Sequence, residues 1–189
     1  YEWFDSHLRI VGIDYPWPPV TETMLWDRQR SGEGSQLLEG VVAMLQRADL
    51  GITDIQLDEI ELDQIRFPKD MPPEVRADLL KRMKAHPPLR VQLCHGDQYL
   101  PLEEESDGTQ RFFQLVGPFL AALEQGFTVF FDELQAHMHP LLTRELVRLF
   151  QSKHNEAGAQ LVFATHDVTL LDADLLRRDQ IWLTEKSTP

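Results

Sequence analysis

Two acidic side chains directly follow a short apolar segment in the second half of the sequence. Residues 127–131 read Phe-Thr-Val-Phe-Phe, and Asp132 and Glu133 come next. A continuous apolar run of this length predicts a strand buried in a parallel sheet, and open α/β sheets bind ligands at the carboxyl ends of their strands. The acids could simply mark a strand end that meets a helix cap. Alternatively, Asp132 holds Mg²⁺, usually through water, and Glu133 polarises an attacking water as a general base.

A histidine follows the next predicted strand of the same sheet. The apolar segment 161–164 is followed by Thr165 and His166, and a helix predicted over 140–149 separates it from the acidic strand. Parallel neighbours share one sheet edge, so His166 is expected close to the two acids. A histidine at a strand end is more often structural than catalytic. At this position, however, it could contact the γ-phosphate of a nucleotide or the attacking water.

A polar turn precedes the helix that leads into the acidic strand. Ser106 and Gly108 stand at its start, and Thr109 begins a helical pattern that continues over 109–123. Free amides at a helix N-terminus attract anions, and a glycine lets the backbone approach a ligand closely. The alternative is an ordinary helix N-cap.

The composition is typical of a folded protein, and it favours neither a membrane span nor direct contact with nucleic acid. The 189 residues are 42% hydrophobic, carry a formal net charge of −13 and include one cysteine. We expect a cytoplasmic protein with no membrane span, because no apolar run reaches roughly 20 residues and the start has no signal-peptide pattern. The negative charge disfavours direct contact with nucleic acid. His137 and His139 alternate, but no further ligands at fixed spacing favour a metal site there.

The pattern along the chain predicts α/β architecture preceded by a smaller subdomain. The predicted parts are an N-terminal strand and loop segment over 1–34, a helical and β-hairpin subdomain over 35–105, and a core of alternating strands and helices over 106–189. Within the core, we expect a short helix over 168–176. A last strand is predicted over 181–183, with Trp182 in the core.

The order and spacing of four short segments resemble those of ABC-type ATPases of the RecF/SMC-like branch. The segments are EESDGTQR, FFDEL, the His-Pro pair at 139–140 and FATHD. More narrowly, they are similar to the ATPases of abortive-infection and other anti-phage defence systems. The resemblance implies the C-terminal lobe of a P-loop NTPase-like head that binds ATP and Mg²⁺. In it, Ser106, Gly108 and Thr109 match the signature motif that contacts nucleotide, Asp132 and Glu133 match Walker B, and His166 matches the H-switch.

The same resemblance implies a nucleotide-driven switch. Two heads would close head-to-tail as a homodimer on two ATP molecules, and hydrolysis with Glu133 as the base would reopen them. In a defence system this switch would control an effector protein, commonly a nuclease. Two alternatives remain open: a DNA-repair or chromosome-type ATPase that clamps DNA, and a degenerate head that acts as a scaffold without hydrolysis.

Two features depart from the family pattern. Asp107 stands where family signatures commonly have a glycine, which brings a carboxylate near the expected phosphate position. No GxxxxGK[S/T] phosphate-binding loop occurs in the sequence. We therefore expect this chain to be the C-terminal portion of a larger protein whose N-terminal lobe carries the P-loop. By itself it should bind ATP very weakly and be inactive.

Overall fold

The secondary structure comes from a computed structural model, which describes residues 8–11, 20–32, 34–85 and 87–185. In chain order the elements are β1 (Leu8–Val11), α1 (Val20–Ser31), α2 (Gly34–Arg47), β2 (Asp54–Glu59), α3 (Pro73–Ala85), β3 (Leu89–His95), β4 (Gln98–Pro101), α4 (Asp107–Gln125), β5 (Thr128–Phe131), α5 (Pro140–Gln151) and β6 (Gln160–Phe163). They form two compact units. The core unit contains β1 and the described residues from Asp107 onwards, and the hairpin unit contains those from Val20 to Ser106.

A parallel sheet organises the core unit, and β5 lies between β1 and β6 in it. Both neighbours pair in parallel with all four residues of β5. The helix α5 connects β5 to β6, which is the connection that parallel strands require. Phe119 of α4 is fully buried and makes edge-to-face contacts with Phe131 of β5 and Phe150 of α5, at centroid distances of 6.1 and 5.3 Å. The predicted α/β fold with a parallel sheet and a crossover helix is confirmed.

Two helices and an antiparallel sheet form the hairpin unit. The strands β2, β3 and β4 pair in sequence order, and Ile55 lies opposite Leu93 in the first pairing. Both of these side chains are buried, as are Val41 and Leu45 on the apolar side of α2. The helices and the β-hairpin expected over 35–105 are therefore present. None of the helices in the described ranges is long and apolar enough to cross a membrane.

Three local expectations differ from the structure. Within 1–34, where a strand and loop were predicted, Val20–Ser31 is a helix; its apolar residues follow no regular helical spacing, and it packs on α2. The segment 168–176 contains only a short 3₁₀ turn, Val168–Leu170. Residues 181–185 form no strand, and Trp182 is 87% exposed because no described element covers it.

The face of the sheet that carries Phe130 also differs from expectation. Both faces of β5 were predicted to be buried, but Phe130 is exposed. Its partner across the strand pair, Val162 of β6, is exposed as well. Val129 and Phe131, on the other face, are buried, and Phe131 packs on Phe119 of α4. Thr128, on the same face as Phe130, is also buried, so the exposure is local to Phe130 and Val162.

A buried carboxylate in α1 makes the stability of the hairpin unit dependent on pH. Glu22 is buried, and its Oε2 atom has no hydrogen-bond partner. Burial raises the pKa of Glu22 above its ordinary value of 4.5, and the nearby charge of Glu103 adds to the effect. Because the folded state then binds the proton more tightly than the unfolded state does, this group favours folding at low pH. That contribution is lost as the pH rises through the raised pKa.

We therefore expect Glu22→Gln to raise the unfolding temperature by a few degrees at about pH 7.5. The gain should become small at about pH 4, where most of the Glu22 carboxyl is protonated in both states. Thermal unfolding followed by circular dichroism at both pH values measures this difference. Glu39→Gln, at an exposed position of α2, is the control and should change little at either pH. A gain from Glu22→Gln that is largest at acidic pH would contradict the assignment.

Candidate functional site

The carboxyl ends of β5 and β6 lie side by side. Phe131 is paired with Phe163, the last residue of β6. Beyond this pair, the amide of Ala164 donates to the carbonyl of Phe131 at 2.9 Å, and the amide of Leu134 donates to the carbonyl of Ala164 at 3.3 Å. These backbone hydrogen bonds hold together the two chain segments that leave the sheet. Residues 132–133 and 165–166 therefore lie at one edge.

Glu133 and His166 approach each other at this edge. The Nε2 atom of His166 is 3.8 Å from Oε1 of Glu133, which is longer than a hydrogen bond. The His166 side chain is 87% exposed and that of Glu133 is 39% exposed, so solvent reaches both. At this separation, one oxygen atom can lie within about 2.6–3.2 Å of both groups, which is the reach of a general acid or base. The arrangement can hold a water molecule or a phosphate oxygen between a carboxylate and an imidazole.

The backbone of Glu133 is in the left-handed region, with φ of 51°. His137, in the same loop, has φ of 62°. This conformation is uncommon for residues other than glycine and costs of order 1–3 kcal/mol for each residue. It persists because the flanking amides are fixed: Leu134 donates to the β6 side, and Ala136 donates to the carbonyl of Glu133 at 2.9 Å. Strain of this kind is concentrated at functional sites, where it aims a side chain.

Neither acid caps the helix that follows. The N-cap of α5 is His139, whose Nδ1 atom accepts a hydrogen bond from the amide of Leu141 at 3.3 Å. Pro140 occupies the first turn, as its fixed φ favours. Neither Asp132 nor Glu133 is therefore the N-cap of α5. His139 is used as a cap, and the described residues contain no group of three or more His, Cys, Asp or Glu side chains arranged to hold a metal ion.

The oxygen atoms near this edge fit Mg²⁺ nonetheless. Asp132 is exposed next to Glu133. Two acceptors in the adjoining loops, Oε1 of Gln135 and Oδ2 of Asp167, are buried without a hydrogen-bond partner. Mg²⁺ prefers oxygen ligands, keeps several waters and is commonly bound through only one or two carboxylates together with the phosphates of a substrate. A site with few protein ligands therefore suits Mg²⁺ bound with a nucleotide.

The residues of the predicted signature lie at the start of α4. Ser106 is exposed and precedes the helix, Gly108 lies in its first turn, and Thr109 is buried. The guanidinium of Arg111, one turn later, lies 5.8 Å from the ring centre of Phe131. Partial burial of this group lowers the pKa of Arg111. Since Phe131 directly precedes Asp132, the first turns of α4 lie at the same end of the core unit as the acidic strand end.

An arginine that the sequence analysis missed connects α5 to the segment after His166. Arg144 donates to the carbonyl of Thr169 at 2.9 Å and to Oδ2 of Asp172 at 2.5 Å. The arginine and the aspartate are 28 positions apart in the chain. No motif or spacing in the sequence marks them as partners. Only the packing of α5 beside β6 brings them together.

These features define a class of protein and then a family. A parallel sheet with two acids at one strand end and a histidine at the next is the arrangement of a P-loop NTPase-like core. Residues 50–172 match the family model described as "AAA domain, putative AbiEii toxin, Type IV TA system". Because this match covers more than half of the sequence, the chain belongs to that family of AAA-domain ATPases. No curated protein matches the sequence significantly.

Two solved structures are similar to this chain. One is the crystal structure of the Smc head bound to the C-winged helix domain of ScpA, with a TM-score of 0.50, 12% identity, and coverage of 84% of this chain and 45% of that chain. The similarity assigns the fold of an ABC ATPase head, and this chain spans less than half of the Smc chain it matches. Another is the Smc head domain with an extended coiled coil bound to the C-terminal domain of ScpA derived from Pyrococcus furiosus. It has a TM-score of 0.46, 14% identity, and coverage of 76% of this chain and 31% of that chain.

The left-handed conformation of Glu133 gives a prediction about stability. Glu133→Val should be less stable than Glu133→Asn by about 1 kcal/mol, because asparagine tolerates positive φ and a β-branched residue does not. Urea denaturation of both variants measures the difference. As a control, the same two substitutions at Asp132, which is not among the described residues with positive φ, should leave valine no less stable than asparagine. Equal stability of the two Glu133 variants would contradict the left-handed geometry.

Proposed function

We propose that this chain forms the C-terminal lobe of an ATP-hydrolysing head, in which Glu133 is the general base and His166 the switch histidine. The observation that carries the proposal is the 3.8 Å approach of His166 Nε2 to Glu133 Oε1 at the edge of the parallel sheet. The family and the head fold make ATP the expected ligand. Asp132 is the proposed partner of Mg²⁺, through water.

Each side chain has a separate task in this proposal. When bound, ATP would supply the phosphorus that the water attacks, and Mg²⁺ would neutralise charge on the phosphate oxygens. Glu133 accepts a proton from the attacking water and orients it. His166 donates a hydrogen bond to an oxygen that gains negative charge. Both side chains are partly open to solvent, so the site is expected to reach its full order only when nucleotide excludes that solvent.

The start of α4 is the proposed contact for the nucleotide of a second head. Amides at a helix N-terminus carry partial positive charge, and Gly108 allows close approach of the backbone to a phosphate. Ser106 is exposed at this end, whereas the buried side chain of Thr109 supports the turn from within. In this arrangement two heads close head-to-tail as a dimer, each completing the nucleotide site of the other. Hydrolysis reopens them.

The complete protein is proposed to contain an N-terminal lobe with the P-loop that this sequence lacks. The chain spans 45% of the Smc chain it resembles, which fits one lobe of a head. The family description names an AbiEii toxin and a Type IV toxin–antitoxin system. We therefore infer a role in anti-phage defence, where opening and closing of the heads control an effector protein such as a nuclease.

A second candidate is a head that serves as a scaffold without hydrolysis. The observation that favours it is Asp107, whose carboxylate lies in the predicted signature where a phosphate is expected. Repulsion between like charges at that position would weaken closure on ATP. A DNA-clamping role is disfavoured by the net charge of −13. A measurement of ATP hydrolysis by the complete protein distinguishes a hydrolysing switch from a scaffold.

In the complete protein, Glu133→Gln should lower the steady-state rate of ATP hydrolysis by about 10²- to 10⁴-fold and leave ATP binding intact, because the amide keeps the shape of the side chain and cannot accept the proton. Asp132→Asn should instead weaken Mg²⁺-dependent ATP binding. A phosphate-release assay and calorimetry with Mg-ATP measure the two effects.

Glu156→Gln, in the exposed turn after α5, is the matched control and should keep the parental rate and affinity. The Glu133→Gln protein should also remain a dimer on size exclusion when ATP is present. Hydrolysis by this variant at the parental rate would remove the assignment of Glu133 as the base. A parental protein that binds ATP without hydrolysing it would favour the scaffold.

A further inference from the structure

Arg144 connects the two loops that carry the proposed catalytic groups. It lies on α5, the helix that follows the loop of Glu133, and its guanidinium makes both of its hydrogen bonds to the segment that follows His166. One nitrogen donates to the carbonyl of Thr169 at 2.9 Å, and the other donates to Asp172 at 2.5 Å. This fork-shaped contact fixes both the direction and the distance of the segment.

Asp172, the acidic partner of Arg144, is charged at neutral pH. The Arg144 side chain is 17% exposed and that of Asp172 is 32% exposed, so the pair is partly shielded from solvent. The hydrogen bond from Arg144 is the main cause that holds the pKa of Asp172 below its usual range. Because the same guanidinium also donates to the carbonyl of Thr169, this partly buried ion pair constrains geometry more than an exposed ion pair does.

The segment held by Arg144 is also braced internally. Oδ1 of Asp167 accepts hydrogen bonds from the amide of Thr169 at 2.9 Å and from its hydroxyl at 2.7 Å. Oδ1 of Asp172 accepts from the amide of Asp174 at 2.9 Å. Leu170, between these positions, is buried. The segment from Asp167 to Asp174 is therefore braced along its length and fixed to α5, and His166 directly precedes it.

The helix α5, which carries Arg144, is itself fixed by packing in the core unit. Leu142 and Leu146 of α5 are buried, and Phe150 contacts the ring of Phe119. His139 caps the start of the helix, at the end of the loop that begins with Asp132 and Glu133. Movement of the segment after His166 relative to α5 would therefore change the separation of His166 and Glu133. Besides the backbone hydrogen bonds at the start of the two loops and the burial of Leu170, the contacts of Arg144 restrict this movement.

We propose that Arg144 is a positioning residue for hydrolysis, which holds His166 at its working distance from Glu133 without itself touching nucleotide. The inference rests on the proposed function, because it assumes that His166 takes part in hydrolysis. A lysine at this position keeps the charge but has a single ammonium group. It cannot form the same planar fork to a carbonyl and a carboxylate.

The test compares Arg144→Lys with Arg148→Lys in the complete protein. Arg148 lies one turn further along α5 and pairs with Glu145 of the same helix at 2.6 Å, so it is the matched control. Arg144→Lys should lower kcat for ATP hydrolysis about tenfold and leave KM for ATP nearly unchanged, since misplacement of a reacting group affects the transition state more than binding. Arg148→Lys should keep both parameters. Unfolding temperatures verify that each variant is folded, and Asp172→Asn replaces Arg144→Lys if that variant is not.

Combining Arg144→Lys with His166→Ala distinguishes the possible failures. If Arg144 acts through His166, adding Arg144→Lys to the His166→Ala variant should not lower kcat further. If Arg144→Lys lowers kcat by the same factor in the parental protein and in the His166→Ala variant, the positioning role is overturned. It is also overturned if Arg144→Lys keeps the parental kcat while His166→Ala lowers it. If His166→Ala itself keeps the parental kcat, the proposed function fails and the inference fails with it.

Discussion

The site depends on the parallel pairing of β5 with β6. Side chains 133 and 166 are far apart in the sequence, and only strands that run in the same direction and in this register bring their carboxyl ends to one edge. The two backbone hydrogen bonds beyond the last pair, from Ala164 and Leu134, continue the pairing into the loops. A shift of β6 by one residue relative to β5 would turn the side chains of β6 to the opposite face. The approach of the two segments that carry the proposed catalytic groups therefore depends on this set of backbone hydrogen bonds.

Much of this arrangement is predictable because it is encoded in local patterns. The apolar segment before Asp132 predicts β5, Pro140 predicts the start of α5, and the alternation of the two predicts a parallel sheet. The expectation that His166 lies near the acids follows from that topology alone and agrees with the 3.8 Å approach. The roles of these residues in hydrolysis remain proposals.

Other features depend on long-range packing and leave no local signal. The pairing of Arg144 with Asp172 joins two positions 28 apart and arises only when α5 lies beside β6. The left-handed backbone of Glu133 is set by hydrogen bonds of the neighbouring amides, whereas the sequence there contains no glycine that would mark it. Trp182 was expected in the core on the basis of its apolar character, but no described element covers it. Periodicity predicts which residues favour burial, and it does not predict whether a neighbour is present.

The most direct test of the account is a crystal structure of the complete protein with Mg²⁺ and an ATP analogue whose β–γ bridge resists hydrolysis. The measured quantities are the distances from the water nearest the γ-phosphorus to Oε1 of Glu133, and from Nε2 of His166 to that water or a γ-phosphate oxygen. We predict that both lie within about 3.2 Å, the reach of a general acid or base. A nucleotide bound elsewhere, with Glu133 and His166 both beyond hydrogen-bond reach of the γ-phosphate and its water, would contradict the central claim.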